Sequence, residues 1–192
     1  MTCINGIFTN EANREIIYIP ENGLENRVHY SSYEDGFRDI YPRIVRTLMV
    51  AYGDREVAAD IAQEAMAKAY AQWKKVNSYE IPGAWVRKVA INGLRDHIRK
   101  ESRRSNGVRD PILQLSTIES IEASMPTPLA VDFARALEKL PSQQRIAATL
   151  AYVDDCSIAE IAKAMKISEG TVKSHLHYAR ETLQEFLSGA LA

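Results

Sequence analysis

The chain has 192 residues, 46% of them hydrophobic and 26% charged, with a formal net charge of -1. That composition excludes a disordered protein and leaves room for one medium or two small globular domains. No run approaches the ~20 apolar residues of a membrane span, and no basic segment followed by an apolar one opens the chain, so the expectation is a cytoplasmic protein without membrane insertion. Cys3 and Cys156 are far apart and have no ligand-spaced His or Asp beside them, which argues against a disulfide framework or a zinc site.

In chain order, residues 1–32 show no functional pattern and read as a variable tail, with at most a short strand between Glu15 and Pro20. From Tyr33 to Tyr52, the residues Phe37, Ile40, Tyr41, Ile44, Val45 and Leu48 keep the helical period. Gly53 and Asp54 end that helix and begin the next, and Pro42 inside it predicts a bend or interruption. A second, Ala-rich helix is expected from about Arg55 to Lys75, burying Val57, Ile61, Ala65, Ala69 and Trp73, with Asp60, Gln63 and Glu64 on its far side. Asn77 to Gly83 is a break, and Pro82 suits the first turn of a third helix that runs to about Arg104. That helix buries Trp85, Val89, Leu94 and Ile98.

The near-zero net charge hides an uneven distribution. Residues 33–104 carry fourteen basic and ten acidic side chains, whereas 105–132 carry one and four. The excess is sharpest between Trp85 and Arg104, where Arg87, Lys88, Arg95, Arg99, Lys100, Arg103 and Arg104 meet only Asp96 and Glu101. A helix so charged is a phosphate-binding footprint, although cations also accumulate at solvated helix C-termini. From Ser105 to Thr127 the periodicity stops, prolines appear and the charge turns acidic, so this stretch reads as a linker between two domains.

The second domain begins near Leu129, with helices at about 129–139 and 142–153 and then Ser157 to Arg180. In this last stretch Ser157 and Glu160 form a capping box ahead of Ile158, Ile161, Ala162 and Met165. After a tight turn, Ser168 is the N-cap candidate of a helix whose apolar stripe is Val172, Leu176, Ala179, Leu183 and Phe186. Lys173, Ser174, His177 and Arg180 are left facing outward. A helix-turn-helix places such a face in the major groove of DNA, while an ordinary helical hairpin would use the same stripe without one. No phosphate-loop, nucleophile-elbow, zinc-protease or dinucleotide motif is present, and His175 and His177 point to different sides of their helix. An enzyme reading therefore has no residues to stand on, and no cofactor is expected.

Taken together, Asp60-Ile-Ala-Gln63-Glu64, Pro82-Gly-Ala-Trp85-Val86-Arg87-Lys88-Val89-Ala90-Ile91-Asn92, Ala136-Leu-Glu-Lys-Leu-Pro141-Ser-Gln-Gln144-Arg145 and Gly170-Thr-Val-Lys-Ser174 form an ordered set that resembles the extracytoplasmic-function (ECF) RNA polymerase sigma factors. The resemblance spans roughly residues 33–187. It implies an all-α protein of two small helical domains: a tail over 1–32, sigma region 2 over 33–104, an acidic linker over 105–128 and sigma region 4 over 129–192. It implies that the protein binds core RNA polymerase (beta-prime and beta subunits), directs it to promoter DNA and helps melt that DNA, under the control of an anti-sigma factor.

Residue by residue, the resemblance places Asp60, Gln63 and Glu64 against the beta-prime subunit. Asn77, Ser78 and Tyr79 would capture an unstacked base of the minus-ten element, with Arg87, Lys88, Asn92, Arg95, Arg99 and Lys100 holding the strand. Ser168, Glu169, Thr171, Lys173, Ser174, His177, Tyr178 and Arg180 would grip the minus-thirty-five element. Positions 175 and 178, often Arg in such proteins, are His and Tyr, which weakens the case for autonomous binding by this domain. The turn position usually held by Gly is Lys166. The alternative is a regulator that binds an operator without core polymerase, and a helical adaptor with no DNA affinity is a third class.

Overall fold

A computed structural model describes the backbone of residues 2–4, 7–9 and 16–18, and then residues 29–104, 133 and 135–190, with side chains through Glu185. The linker of the sequence reading and its acidic residues Asp110, Glu119 and Glu122 lie outside the described residues, as does the side chain of Phe186. Ahead of the helices, β1 (Thr2–Ile4), β2 (Ile7–Thr9) and β3 (Ile16–Tyr18) pair antiparallel in the order β1-β2-β3. Thr2 stands opposite Thr9, and Ile7 opposite Tyr18. The third of these strands falls inside the stretch expected to be extended, whereas nothing in the sequence singled out the other two.

Both regions beyond the sheet are built of helices among the described residues. Helix α1, Tyr33–Tyr52, starts where the Ser32 side chain accepts the Asp35 N–H and stops at Gly53, whose φ of 92° only glycine adopts without strain. Pro42 does not interrupt it. Because Pro42 is exposed, the carbonyl left without an intrahelical donor lies on the solvent side, where water can serve it. Helix α2, Arg55–Tyr70, is capped by Asp54, whose carboxylate accepts the Glu56 and Val57 N–H groups at 2.9 and 3.0 Å.

Helix α2 is shorter than its composition suggested. It ends at Tyr70, and a separate short helix, α3, spans Trp73–Val76. The break lets Trp73 turn onto an aromatic cluster, edge-on to Tyr33 with ring centroids 5.3 Å apart and 6.0 Å from Tyr30. Gly36 makes room for it, since a Cβ built there would sit 2.4 Å from the Trp73 ring. Helix α4, Pro82–Arg104, carries the basic run, and buries Val86, Ala90, Ile91, Leu94 and Ile98.

In the second region, residues 135–138 are helical, followed by α5 (Ser142–Tyr152), α6 (Ile158–Met165) and α7 (Glu169–Ala190). Arg145 is buried and donates through Nη2 to the Leu140 carbonyl at 3.0 Å, tying α5 back to the turn before it. The Ser157–Glu160 capping box is formed in both directions. Lys166 ends α6 in the left-handed region, with φ 53° and ψ 49°, the backbone position that glycine commonly holds.

The two regions do not stand apart. One apolar cluster joins Ile40, Ile44 and Leu48 of α1 and Ile91 and Leu94 of α4 to Ile146 and Leu150 of α5 and Ile161 and Met165 of α6. A second cluster takes Val50 of α1 together with Leu137, Leu140, Ala148, Ala179 and Leu183. Helix α1 packs on α5, and α4 packs on α6.

Candidate nucleic-acid interface

Helix α7 of the second region has the division of faces that its sequence predicts. Val172, Ala179 and Leu183 are buried and Leu176 is half-buried, while Lys173, Ser174, His177, Tyr178 and Arg180 are exposed. Tyr178 is 55% exposed, an unusual position for a large aromatic ring that contributes nothing to a core. Ser168 and Thr171 are tied up in starting the helix: Ser168 Oγ accepts the Thr171 N–H at 3.1 Å and lies 2.8 Å from Thr171 Oγ1. Ser174 Oγ donates to the Gly170 carbonyl at 3.1 Å. Glu169 is exposed in the first turn, and His177 lies 3.6 Å from Glu181. His175, on the other side, is half-buried, and burial with the nearby Arg95 charge pushes its pKa down.

In the first region, Asp60, Gln63 and Glu64 are all exposed on α2, and at i, i+3 and i+4 they share one face. Glu64 also pairs with Lys68 at 2.7 Å, an exposed i,i+4 contact of small energetic weight. The loop after α3 separates three neighbours that the sequence grouped. Ser78 and Tyr79 are exposed. The Asn77 amide is turned inward: its Oδ1 accepts the Tyr30 N–H at 3.1 Å and its Nδ2 donates to the Tyr30 carbonyl at 2.8 Å. Asn77 thus fastens the chain ahead of α1 to this loop, 47 residues away.

Helix α4 also divides its basic residues. Arg99 and Lys100 are exposed, with Arg99 paired to Asp96 at 3.0 Å. Lys88 and Asn92 are half-buried, and Asn92 Nδ2 folds back onto the Lys88 carbonyl at 2.6 Å. Arg87, expected on an outward phosphate-binding face, is only 5% exposed. Its Nη1 lies 3.8 Å from Oδ2 of Asp154, which is also buried, in the loop after α5. Arg95 donates to the Met165 carbonyl through Nη1 and to Gln143 Oε1 through Nε at 3.3 Å.

Asp154 completes this polar seam by accepting from Thr47 Oγ1 on α1 at 2.8 Å. Burial raises the Asp154 pKa above the usual carboxylate range, and Arg87, Thr47 and Arg46 offset that only in part. Neither Arg87 Nη1 nor Asp154 Oδ2 has a hydrogen-bond partner within reach, and Arg46 Nε is similarly buried without one. Asp154 and Thr47 belong to no recognisable motif; only the packing of α1 against α5 brings them together. Trp85, read as a core residue, is half-buried against the first apolar cluster. Among the described residues no group of His, Cys, Asp and Glu is arranged to hold a metal ion, and no helix is long and apolar enough to cross a membrane.

A helical body with an exposed Asp60, Gln63 and Glu64 face on α2, a basic α4 and an outward-facing helix-turn-helix is the arrangement of a sigma-70-type transcription initiation factor. Family models for sigma-70 region 2 and region 4 match residues 37–104 and 130–183. SigL of Mycobacterium tuberculosis is 34% identical over 142 residues, covering 69% of this chain and 78% of that protein. SigW of Bacillus subtilis is 29% identical over 177 residues, covering 80% and 90%. A co-crystal structure of the sigma factor RpoE with the anti-sigma factor NepR from Bartonella quintana superposes with a TM-score of 0.61 at 21% identity, over 81% of this chain and 96% of that one. The chain belongs to the ECF RNA polymerase sigma factors.

Proposed function

We propose that the protein acts by docking core RNA polymerase through Asp60, Gln63 and Glu64, reading duplex DNA with α7, and trapping an unstacked base beside Ser78 and Tyr79. The observation that carries this reading is the outward face of α7, where Lys173, His177, Tyr178 and Arg180 are exposed behind a buried stripe. Lysine and arginine supply phosphate contacts, and the half-exposed Tyr79 ring supplies a stacking surface for a base. Unstacking a base costs a few kcal/mol, which contacts made only to the open strand must recover. Arg99 and Lys100 are exposed on α4 for that purpose.

In this reading Asn77 positions the loop, and Tyr79 and Ser78 touch DNA. Sigma factors are regulatory DNA-binding proteins, and no catalytic step is assigned to this chain. Its place of action is the cytoplasm, and its regulator is an anti-sigma protein, the class of partner bound to the structurally similar RpoE. The test is run-off transcription of fragmented genomic DNA by bacterial core polymerase, with and without the protein, sequencing the transcript starts. Starts that need the protein and share two upstream elements are expected. Duplex binding by the protein alone, with no new starts, would replace this reading with that of an operator-binding regulator.

A further inference from the structure

Tyr30 lies just before α1 and ahead of residue 37, where the match to sigma-70 region 2 begins. Its main chain, hydroxyl and ring are all engaged. The N–H donates to Asn77 Oδ1 at 3.1 Å, and the carbonyl accepts from Asn77 Nδ2 at 2.8 Å. The hydroxyl donates to Asp39 Oδ2 on α1 at 2.6 Å, and the ring lies 6.0 Å from that of Trp73 on α3. Asp39 is held in turn by Arg43 Nη2 at 2.8 Å. The next two residues are fastened to the same helix, since the Ser31 and Ser32 hydroxyls both donate to Asp35. We propose that Tyr30 is a positioning residue for promoter melting: the segment ahead of region 2 splints the loop that carries Ser78 and Tyr79, and base capture requires that splint. The inference rests on the proposed capture of an unstacked base by Ser78 and Tyr79.

The main-chain bonds of the loop itself are local. The Ser78 and Tyr79 N–H groups donate to the Lys75 and Val76 carbonyls, three residues back, at 3.2 and 3.1 Å. Bonds of that reach shape a turn without fixing it against the rest of the domain. Tyr30 supplies the longer connection, because Asp39 places its hydroxyl on α1, whose Ile40, Ile44 and Leu48 are anchored in the apolar core. An amide that meets both main-chain groups of one residue, as a paired strand would, sets distance and direction together. Burial and the Asp39 carboxylate raise the Tyr30 pKa, so the hydroxyl keeps its proton and remains a donor well above neutral pH. A loop already in place gives the full yield of its contacts to the base, whereas a loop ordered on contact loses part of that yield. With the capture geometry present one-tenth of the time, apparent capture falls about tenfold. Asp60, Gln63 and Glu64 on α2 and the outward face of α7 lie on other elements, and their binding does not draw on the splint.

The test uses the full-length protein carrying Tyr30→Ala, Tyr30→Phe or Asp39→Ala, with Tyr79→Ala as the reference. In the free protein, hydrogen exchange at the amides of residues 77–79 should quicken about tenfold in Tyr30→Ala, and less in Tyr30→Phe, which keeps the ring on Trp73. With core polymerase and a promoter found by run-off transcription, Tyr30→Ala should lower permanganate-detected melting about tenfold while core binding stays within about twofold. Single abasic sites along the non-template strand of the minus-ten element separate positioning from general instability. At the position where Tyr79→Ala makes no further difference, Tyr30→Ala should make none either; a protein that is merely destabilised would open every template less well. Tyr30→Phe and Asp39→Ala break the same bond, so the double variant should lose no more than one of them alone. Unchanged loop exchange in Tyr30→Ala, or equal loss of core binding and melting, would overturn the proposal. Should Tyr30→Ala fail to fold, wild-type exchange and melting in both Tyr30→Phe and Asp39→Ala would overturn it as well. Normal melting by Tyr79→Ala would instead overturn base capture, and the melting role of Tyr30 with it, whereas impaired melting by Tyr79→Ala beside normal melting by Tyr30→Ala would remove the splint alone.

Discussion

Replacing Asn77 with Ala separates its structural duty from any contact with DNA. The side chain makes two hydrogen bonds to the main chain of Tyr30, at 3.1 and 2.8 Å, both partly buried. Ala leaves the Tyr30 N–H and carbonyl without these partners. At about 1 kcal/mol for each bond the loss is about 2 kcal/mol. For a chain of this size that lowers the melting temperature by about 4–8 °C. The Tyr30 ring, 6.0 Å from Trp73, should loosen at the same time, so tryptophan fluorescence reports the undocking directly. Ser78→Ala and Tyr79→Ala alter exposed positions, and should each change stability by less than about 0.5 kcal/mol. In permanganate footprinting of the promoter they should nevertheless impair melting more than they impair core binding. An Asn77→Ala protein that melts with wild type would refute the positioning role. Equal loss of core binding and melting in Ser78→Ala and Tyr79→Ala would refute the base-capture role.

Lys166→Gly should stabilise the protein by about 1 kcal/mol in thermal or urea unfolding, because it relieves a left-handed backbone at φ 53°. Acidification should destabilise the native protein through His175: its pKa is depressed by burial and by Arg95, so the unfolded chain binds the proton more readily. Its contribution is fully present above the ordinary histidine value of about 6.5 and declines as pH falls below it; a His175→Gln variant with an undiminished slope there would disprove the assignment. Lys173→Ala should weaken promoter use more as salt is lowered, reducing the salt slope of binding by about one, and an unchanged slope would remove its phosphate contact.

What could be read from the sequence follows the range of the forces involved. Helix starts depend on neighbours three residues away, and Asp54 with Val57 and Ser157 with Glu160 both form their caps. The exposed and buried faces of α2 and α7 follow from a period of 3.6 residues. The end of α2 could not be read this way. Ala71, Gln72 and Trp73 are all compatible with helix, and the chain breaks there because Trp73 packs over Gly36, 37 residues earlier in sequence. Asn77 looked like a free polar loop residue because its partner, Tyr30, is still more remote, 47 residues away. Arg87 was legible as a cation on a basic helix, but its burial depends on Asp154 in the other region, to which no local pattern points.

Helix α1 contributes Ile44 and Leu48 to one apolar cluster and Val50 to the other, and Thr47 between them bonds Asp154, 107 residues further along the chain. During synthesis the first region therefore leaves the ribosome before the helices that will cover part of its surface exist. At ~5–20 residues per second, that face stays bare for several seconds. A nascent chain in that state is a substrate for chaperones. A truncated protein ending near Arg104 would keep the same bare face permanently, and should be less soluble than the whole.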